Sequence, residues 1–194
     1  MKIYLAGILI VIIAITGCSQ KETQNLTVIN KKSEENYEVS VKGIIMDYVT
    51  DSGITPIVVL SRKENQDQIL PIWIGMAEGM AINMALNNYK PKRPGTHDMF
   101  SSILTEFDMQ MMKVVISDLR EKTYIATITM ESHGETKEID ARPSDAIALA
   151  LRSSAPVFVS QKVIDKSGWV ELDKESEDKV ETKKKWPGNP DDLL

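Results

Sequence analysis

Two short stretches of this sequence concentrate side chains able to do chemistry. RPGTHD at residues 93–98 and DARPSD at residues 140–145 share one pattern: Arg-Pro, then a hydroxyl residue and an acid, then an apolar run. Proline biases the residue before it towards extended geometry, so each Arg-Pro ends one element and opens another. Thr96 and Ser144 are expected as N-caps, accepting hydrogen bonds from the exposed amides of a first helical turn. Asp98 and Asp145 fall in that turn, where the positive end of the helix dipole favours a carboxylate. Capping therefore accounts for these four residues without catalysis. It does not account for Arg93, Arg142 or His97. An arginine before a helix start can pair with the acid of its own or the other motif, or hold a phosphate at the helix amides. For His97, beside Asp98, three roles stay open: general base, metal ligand or surface residue. His133, next to Gly134, reads as a turn residue.

The elements that must position these groups follow from the hydrophobic period. Residues 38–49 (EVSVKGIIMDYV) and 55–61 (TPIVVLS) are β-branched and flank Thr50-Asp51-Ser52-Gly53, a hairpin signal. A third strand is expected at 68–74, with Pro71 marking an edge or a bulge. Residues 76–89 change period. Met76, Met80 and Met84 with Ala77, Ala81 and Ala85 form a helical stripe, read as a core face. A second helix follows the first motif, with Met99, Phe100, Ile103, Leu104 and Phe107 on one face. Strands are expected near 112–119, 124–131 and 136–141. The second motif then opens a third helix that ends before Pro156, followed by a strand at 157–160 and a polar turn or short helix. Antiparallel runs interrupted by about three helices predict a compact α+β domain with a mostly antiparallel or mixed sheet. The sequence carries no glycine-rich phosphate loop or dinucleotide fingerprint.

The hydrophobic share of 42% and charged share of 26% are those of a globular chain. Net charge is −5, and loss of Lys2 with a cleaved leader makes it −6. That balance argues against a strongly basic nucleic-acid binder, though not against an enzyme that grips a strand locally. The leader MKIYLAGILIVIIAITGCSQ carries an apolar run, residues 3–15, that suits a signal peptide better than a membrane span. Ile15-Thr16-Gly17-Cys18 resembles a bacterial-type lipobox, which implies cleavage after residue 17 and lipidation of Cys18. The expected result is a lipoprotein held on the extracytoplasmic face of a membrane. Residues 18–36 read as a polar tether, 37–169 as the folded body and 170–194 as a charged tail. Cys18 is the sole cysteine, which excludes disulfides and thiolate chemistry from the body.

The segments ILPIWIGMAEGMAI, RPGTHDMF, DARPSDAIALALR and APVFVS, in this order, resemble the bifunctional nuclease domain family over residues 39–166. Members of that family are reported to cut both DNA and RNA. The resemblance points to Arg93, Thr96, His97 and Asp98 in the first motif, and to Asp140, Arg142, Ser144 and Asp145 in the second. Glu78 matches an acid of the family's first helix, while Gly95 stands where a larger apolar residue is usual. The implied activity is hydrolysis of phosphodiester bonds in DNA or RNA. In that scheme Glu78, Asp98, Asp140 and Asp145 hold Mg²⁺ or Mn²⁺, oxygen-seeking cations that activate water and offset charge. Arg93 and Arg142 clamp the phosphate, and His97, Asp98 and Asp145 handle the proton. Two other readings stand beside it. One is a non-catalytic module that binds a partner or forms a homo-oligomer, with its Arg-Pro/Asp motifs as structural salt bridges. The other captures a small anionic solute at the helix starts.

Overall fold

The computed structural model describes residues 35–49 and 53–172. The leader, Cys18, most of the tether and the tail beyond 172 lie outside the described residues. Among the described residues, no helix is long and apolar enough to cross a membrane.

The strands are β1 (Asn36–Val49), β2 (Gly53–Arg62), β3 (Gln68–Trp73), β4 (Met109–Arg120), β5 (Thr123–Ser132), β6 (Glu135–Ala141), β7 (Val157–Ser160) and β8 (Val170–Glu171). They form one sheet in the order β6-β5-β4-β7-β1-β2-β3-β8. Among the described residues, only the β4–β7 pair is parallel. With α1 (Met76–Leu86), α2 (Thr96–Glu106), α3 (Pro143–Ser153) and α4 (Gln161–Ser167), this is the expected α+β domain with a mixed sheet. Two hairpins turn on two residues each. In the β5–β6 turn His133 and Gly134 both have positive φ, 54° and 82°, the backbone twist that joins right-twisted strands tightly. Pro71 pairs with Val59 on one side. On the other, β8 reaches only Gln68 and Ile69, so the proline sits where the edge is open.

Alternation along the strands sends Val58, Leu60, Leu70, Ile72, Val114, Ile116, Ile128 and Met130 into one large core. A smaller cluster of Ile57, Val59 and Ile69 uses the intervening positions of β2 and β3. Each such side chain contributes about 1.5–3 kcal/mol on burial. α3 lies at the centre of the helical layer, touching α1, α2, β4 and β5. Five consecutive residues, from Ala146 through Ile147, Ala148, Leu149 and Ala150, are buried. The alanines let neighbouring elements approach from all sides.

Two expectations are corrected. The N-cap positions are Gly95 and Arg142, not Thr96 and Ser144. Pro143 supplies the reason in α3: it presets a helical φ and lacks the amide that would go unbonded there, so the helix starts before the serine. In α1 the buried residues are Gly79, Ile82 and Met84, while Met76 is exposed. The Met/Ala stripe is therefore not a pure core face; Ala77, Met80, Ala81 and Met84 line a cleft. In α2 only Leu104 is buried. Met99, Phe100, Ile103 and Phe107 are exposed, because this helix meets α3 and β4 along one margin of the layer.

Candidate active site

The two helix starts that repeat in the sequence meet in space. Thr96, His97 and Asp98 of α2 and Arg142 and Asp145 at the head of α3 line one cleft of about 370 Å³, closed on a third side by α1. His97 Nε2 lies 3.1 Å from Asp145 Oδ1. Arg142 donates to the same carboxylate through Nε at 2.5 Å and Nη2 at 3.0 Å. Its Nη1 reaches Glu78 Oε1 at 2.9 Å. Asp98 has a different partner: Arg152 Nε donates to its Oδ1 at 2.6 Å. The Gly95 amide donates to its Oδ2 at 2.9 Å.

These pairs differ in character. Arg152 is 12% exposed and also donates to the carbonyls of Ala81 and Ala148. It thus ties the start of α2 to α1 and α3 and works as a brace. The Arg142 side chain is 67% exposed, so its guanidinium keeps donor capacity for something in the cleft. Two glycines make room for carboxylates. A Cβ built at Gly75 would collide with Glu78 Oε2, and one at Gly95 would crowd Asp98 Oδ2 at 3.3 Å.

Electrostatics assigns the protons. Burial pushes the Asp145 carboxyl up, but hydrogen bonds from Arg142 and His97, with their charges, outweigh it and hold the group below the usual carboxylate range. Burial likewise raises Asp98, and the Arg152 hydrogen bond, the Gly95 amide and nearby positive charge more than offset it. Hydrogen bonding to Asp145 lifts the Arg142 guanidinium above its already high value. Both aspartates are thus ionised at neutral pH and cannot act there as proton donors. An ionised carboxylate only accepts hydrogen bonds, so His97 donates from Nε2 and its Nδ1 lies outside that contact.

Sequence-selected residues are placed unequally. Glu78, Arg93, His97, Asp98, Arg142 and Asp145 all line the cleft. Arg93 makes no ion pair among the described residues. Asp140 is exposed on β6 opposite Thr127 and lies outside the cleft lining. Arg152 was missed by sequence reasoning. Its signal is its spacing: it follows Asp145 by seven residues, two helical turns, and so shares the cleft-facing side of α3.

A model of the bifunctional nuclease domain matches residues 58–171, more than half of the chain. This chain belongs to the bifunctional nuclease domain family. An uncharacterized protein of Mycobacterium tuberculosis (strain CDC 1551 / Oshkosh) is 35% identical over 121 residues, covering 62% of this chain and 72% of that protein. Bifunctional nuclease 1 of Oryza sativa subsp. indica is 25% identical over 121 residues, covering 61% of this chain and 37% of the rice protein. Bifunctional nuclease 1 of Arabidopsis thaliana is 23% identical over 117 residues, covering 59% of this chain and 36% of the relative.

In this bifunctional nuclease domain three of the four acids expected to hold Mg²⁺ or Mn²⁺ share the cleft, but each is taken by an arginine. Glu78 and Asp145 face the Arg142 guanidinium, Asp98 faces Arg152, and Asp140 stands apart. Among the described residues, no group of three or more histidines, cysteines or acids is arranged to hold a metal ion. As arranged, these side chains do not fit a hard divalent cation, which needs several oxygen ligands with open lone pairs.

Proposed function

We propose that the cleft between the starts of α2 and α3 hydrolyses phosphodiester bonds of DNA, RNA or both. The observation that carries this reading is the 3.1 Å contact between His97 and Asp145 in an open cleft flanked by Arg93 and Arg142. His97 Nδ1 takes a proton from the attacking water as the new P–O bond forms. The leaving oxygen departs on the far side of phosphorus and takes its proton from solvent as the old P–O bond breaks, and the imidazolium gives its proton back to solvent. Asp145 holds the ring and its tautomer, and the two arginines meet the charge that gathers on the phosphate oxygens. Arg152 and Asp98 keep the start of α2 in place.

The test is hydrolysis of single- and double-stranded DNA and RNA by the purified protein. His97→Ala and Asp145→Asn are each expected to lower kcat/KM by about 10²–10⁴-fold. Activity that survives both substitutions would overturn the assignment. Addition of EDTA is a separate arm. Loss of activity there, restored by Mg²⁺ or Mn²⁺, would mean that Arg142 releases Glu78 or Asp145 when substrate enters.

The lipobox-like sequence supports lipidation at Cys18 and work on the extracytoplasmic face of a membrane. Cys18→Ser is expected to move the protein from the membrane to the soluble fraction; unchanged fractionation argues against the tether. A second reading, self-association, is favoured by Met99, Phe100 and Ile103 of α2 and by Phe107 just after it, which are 40–67% exposed. Sedimentation that reports a monomer at high protein concentration would remove it.

A further inference from the structure

β6 is one end of the sheet: it pairs with β5, and among the described residues no strand lies beyond it. The β5–β6 turn decides which of its backbone groups are bonded. In a two-residue hairpin the residues that close the turn, here Ser132 and Glu135, exchange both of their hydrogen bonds. Glu135, Lys137 and Ile139 therefore bond to β5. The N–H and C=O groups of Thr136, Glu138 and Asp140 point out from the open edge.

The side chains alternate in the same register. Lys137 and Ile139 stand opposite Met130 and Ile128, on the face of the sheet that carries the main core. On that face a groove of about 590 Å³ opens between β6 and α2, lined by Phe100, Leu104, Ile128, Met130, Lys137 and Ile139. Phe100 and Ile139 are both exposed there. Glu138 and Asp140 project from the opposite face. Like Glu135, they make no ion pair among the described residues, and Lys137 is the only cation of the strand. Asp140, which the cleft leaves out, belongs to this edge.

These features specify what fits. An open strand edge is completed by another strand, whose alternate side chains fall on the two faces of the sheet. One set lies over the groove, where apolar groups gain by leaving water. The other lies beside Glu138 and Asp140, where a cation pairs across strands. A nucleic-acid strand carries the wrong charge for this edge. So does a second copy of β6, which would crowd the Glu138 and Asp140 carboxylates of both copies onto one face.

We propose that β6 and the groove beside it dock an extended segment of a partner protein that alternates apolar residues with lysine or arginine. The segment adds to the sheet as a further strand, its apolar side chains towards Phe100 and Ile139 and its cations towards Glu138 and Asp140. This goes beyond the nuclease reading and stands without it, since none of these residues lines the cleft.

The test uses the full-length protein and two fluorescein-labelled eight-residue peptides, one alternating lysine with valine and one alternating glutamate with valine. Fluorescence anisotropy is expected to report binding of the lysine–valine peptide alone. Joint replacement of Glu138→Lys and Asp140→Lys is expected to weaken that binding by about 10-fold, and Ile139→Ser by about 5-fold. All three side chains are exposed, so the fold tolerates their loss. Hydrogen exchange followed by NMR locates the contact: the peptide should slow exchange at the Thr136, Glu138 and Asp140 amides. A lysine–valine peptide that fails to bind, or that binds the doubly substituted protein equally well, would overturn the proposal. So would binding that leaves those three amides unprotected. Protection of the same amides by raising the protein concentration alone would assign the edge to a second copy instead.

Discussion

Asp98 and Asp145 are each the third residue of their helix, yet the structure gives them different work. Asp145 is shared between an open arginine and the His97 ring. Asp98 is taken by a nearly buried arginine and by the amide of its own helix cap. The brace reading of Arg152 makes a prediction that a phosphate-binding role would not. Arg152→Met keeps the aliphatic stem but removes the donors to Asp98, Ala81 and Ala148. Stability is expected to fall by about 1.5–3 kcal/mol, the range for hydrogen bonds to a charged group, as read by urea unfolding at neutral pH. The sign of the pH dependence follows from the lowered Asp98 carboxyl. A group depressed on folding stabilises the fold above its unfolded pKa, near 3.9 in ordinary carboxylates, and loses that contribution as pH falls through the folded value. The gap between wild type and Arg152→Met should therefore be constant near neutrality and narrow in acid, where only the bonds to the Ala81 and Ala148 carbonyls remain to separate the two proteins. A gap that is absent at neutral pH would show that Arg152 is not a brace.

At the scale of elements, the helix starts and the strand that feeds α1 decide where the acids sit. Gly75 caps α1 with φ −73°, a conformation any residue adopts, so its glycine is explained by space alone. The Glu78 carboxylate folds over it on the way to Arg142. Because the obstructed atom is the end of a flexible side chain, Gly75→Ala is expected to displace Glu78 rather than the backbone. Its melting temperature should change little, while kcat/KM on nucleic acid falls. An unaltered kcat/KM would mean that the Glu78–Arg142 pair does not position the cleft. The Arg-Pro junctions, the hairpin turns and the three main helices were legible in the sequence because they depend on neighbours a few residues apart. The exposure of the α2 face was not legible for the opposite reason: periodicity reports that a helix has an apolar side, not whether another element covers it.

Across the whole molecule, one group at some distance in sequence from the motifs ties the domain together. Asp118 is buried on β4 and accepts from Lys166 Nζ at 2.7 Å, Lys162 Nζ at 2.9 Å, Arg120 Nε at 2.7 Å and the Leu119 amide at 2.8 Å. Hydrogen bonds from Lys166, Lys162 and Arg120 hold its carboxyl far below the usual range. They fasten α4 to the end of β4. Asp118→Asn would leave three cations facing one another without their anion, so its melting temperature should drop at neutral pH. Since Asp118 is depressed on folding, its stabilisation fades only in strong acid, and the two proteins should converge there. Thermal unfolding followed from pH 7 into acid checks this; coincident curves at neutral pH would refute it. Nothing in the residues around Asp118 announced the cluster, because Lys162 and Lys166 are 44 and 48 residues away along the chain.

The sequence by itself determined the α+β class, the turns, the helix starts to within a residue or two and the identity of the residues available for chemistry. These depend on backbone preference and on hydrophobic period, both of which act over a few residues. Only the tertiary structure decided the partners. His97 meets Asp145 across 48 residues, Arg152 meets Asp98 across 54, and Asp140 is left outside although it stands two residues before Arg142. Charge pairing is set by distance and burial in three dimensions, and these exist only once α1, α2 and α3 have packed on the sheet.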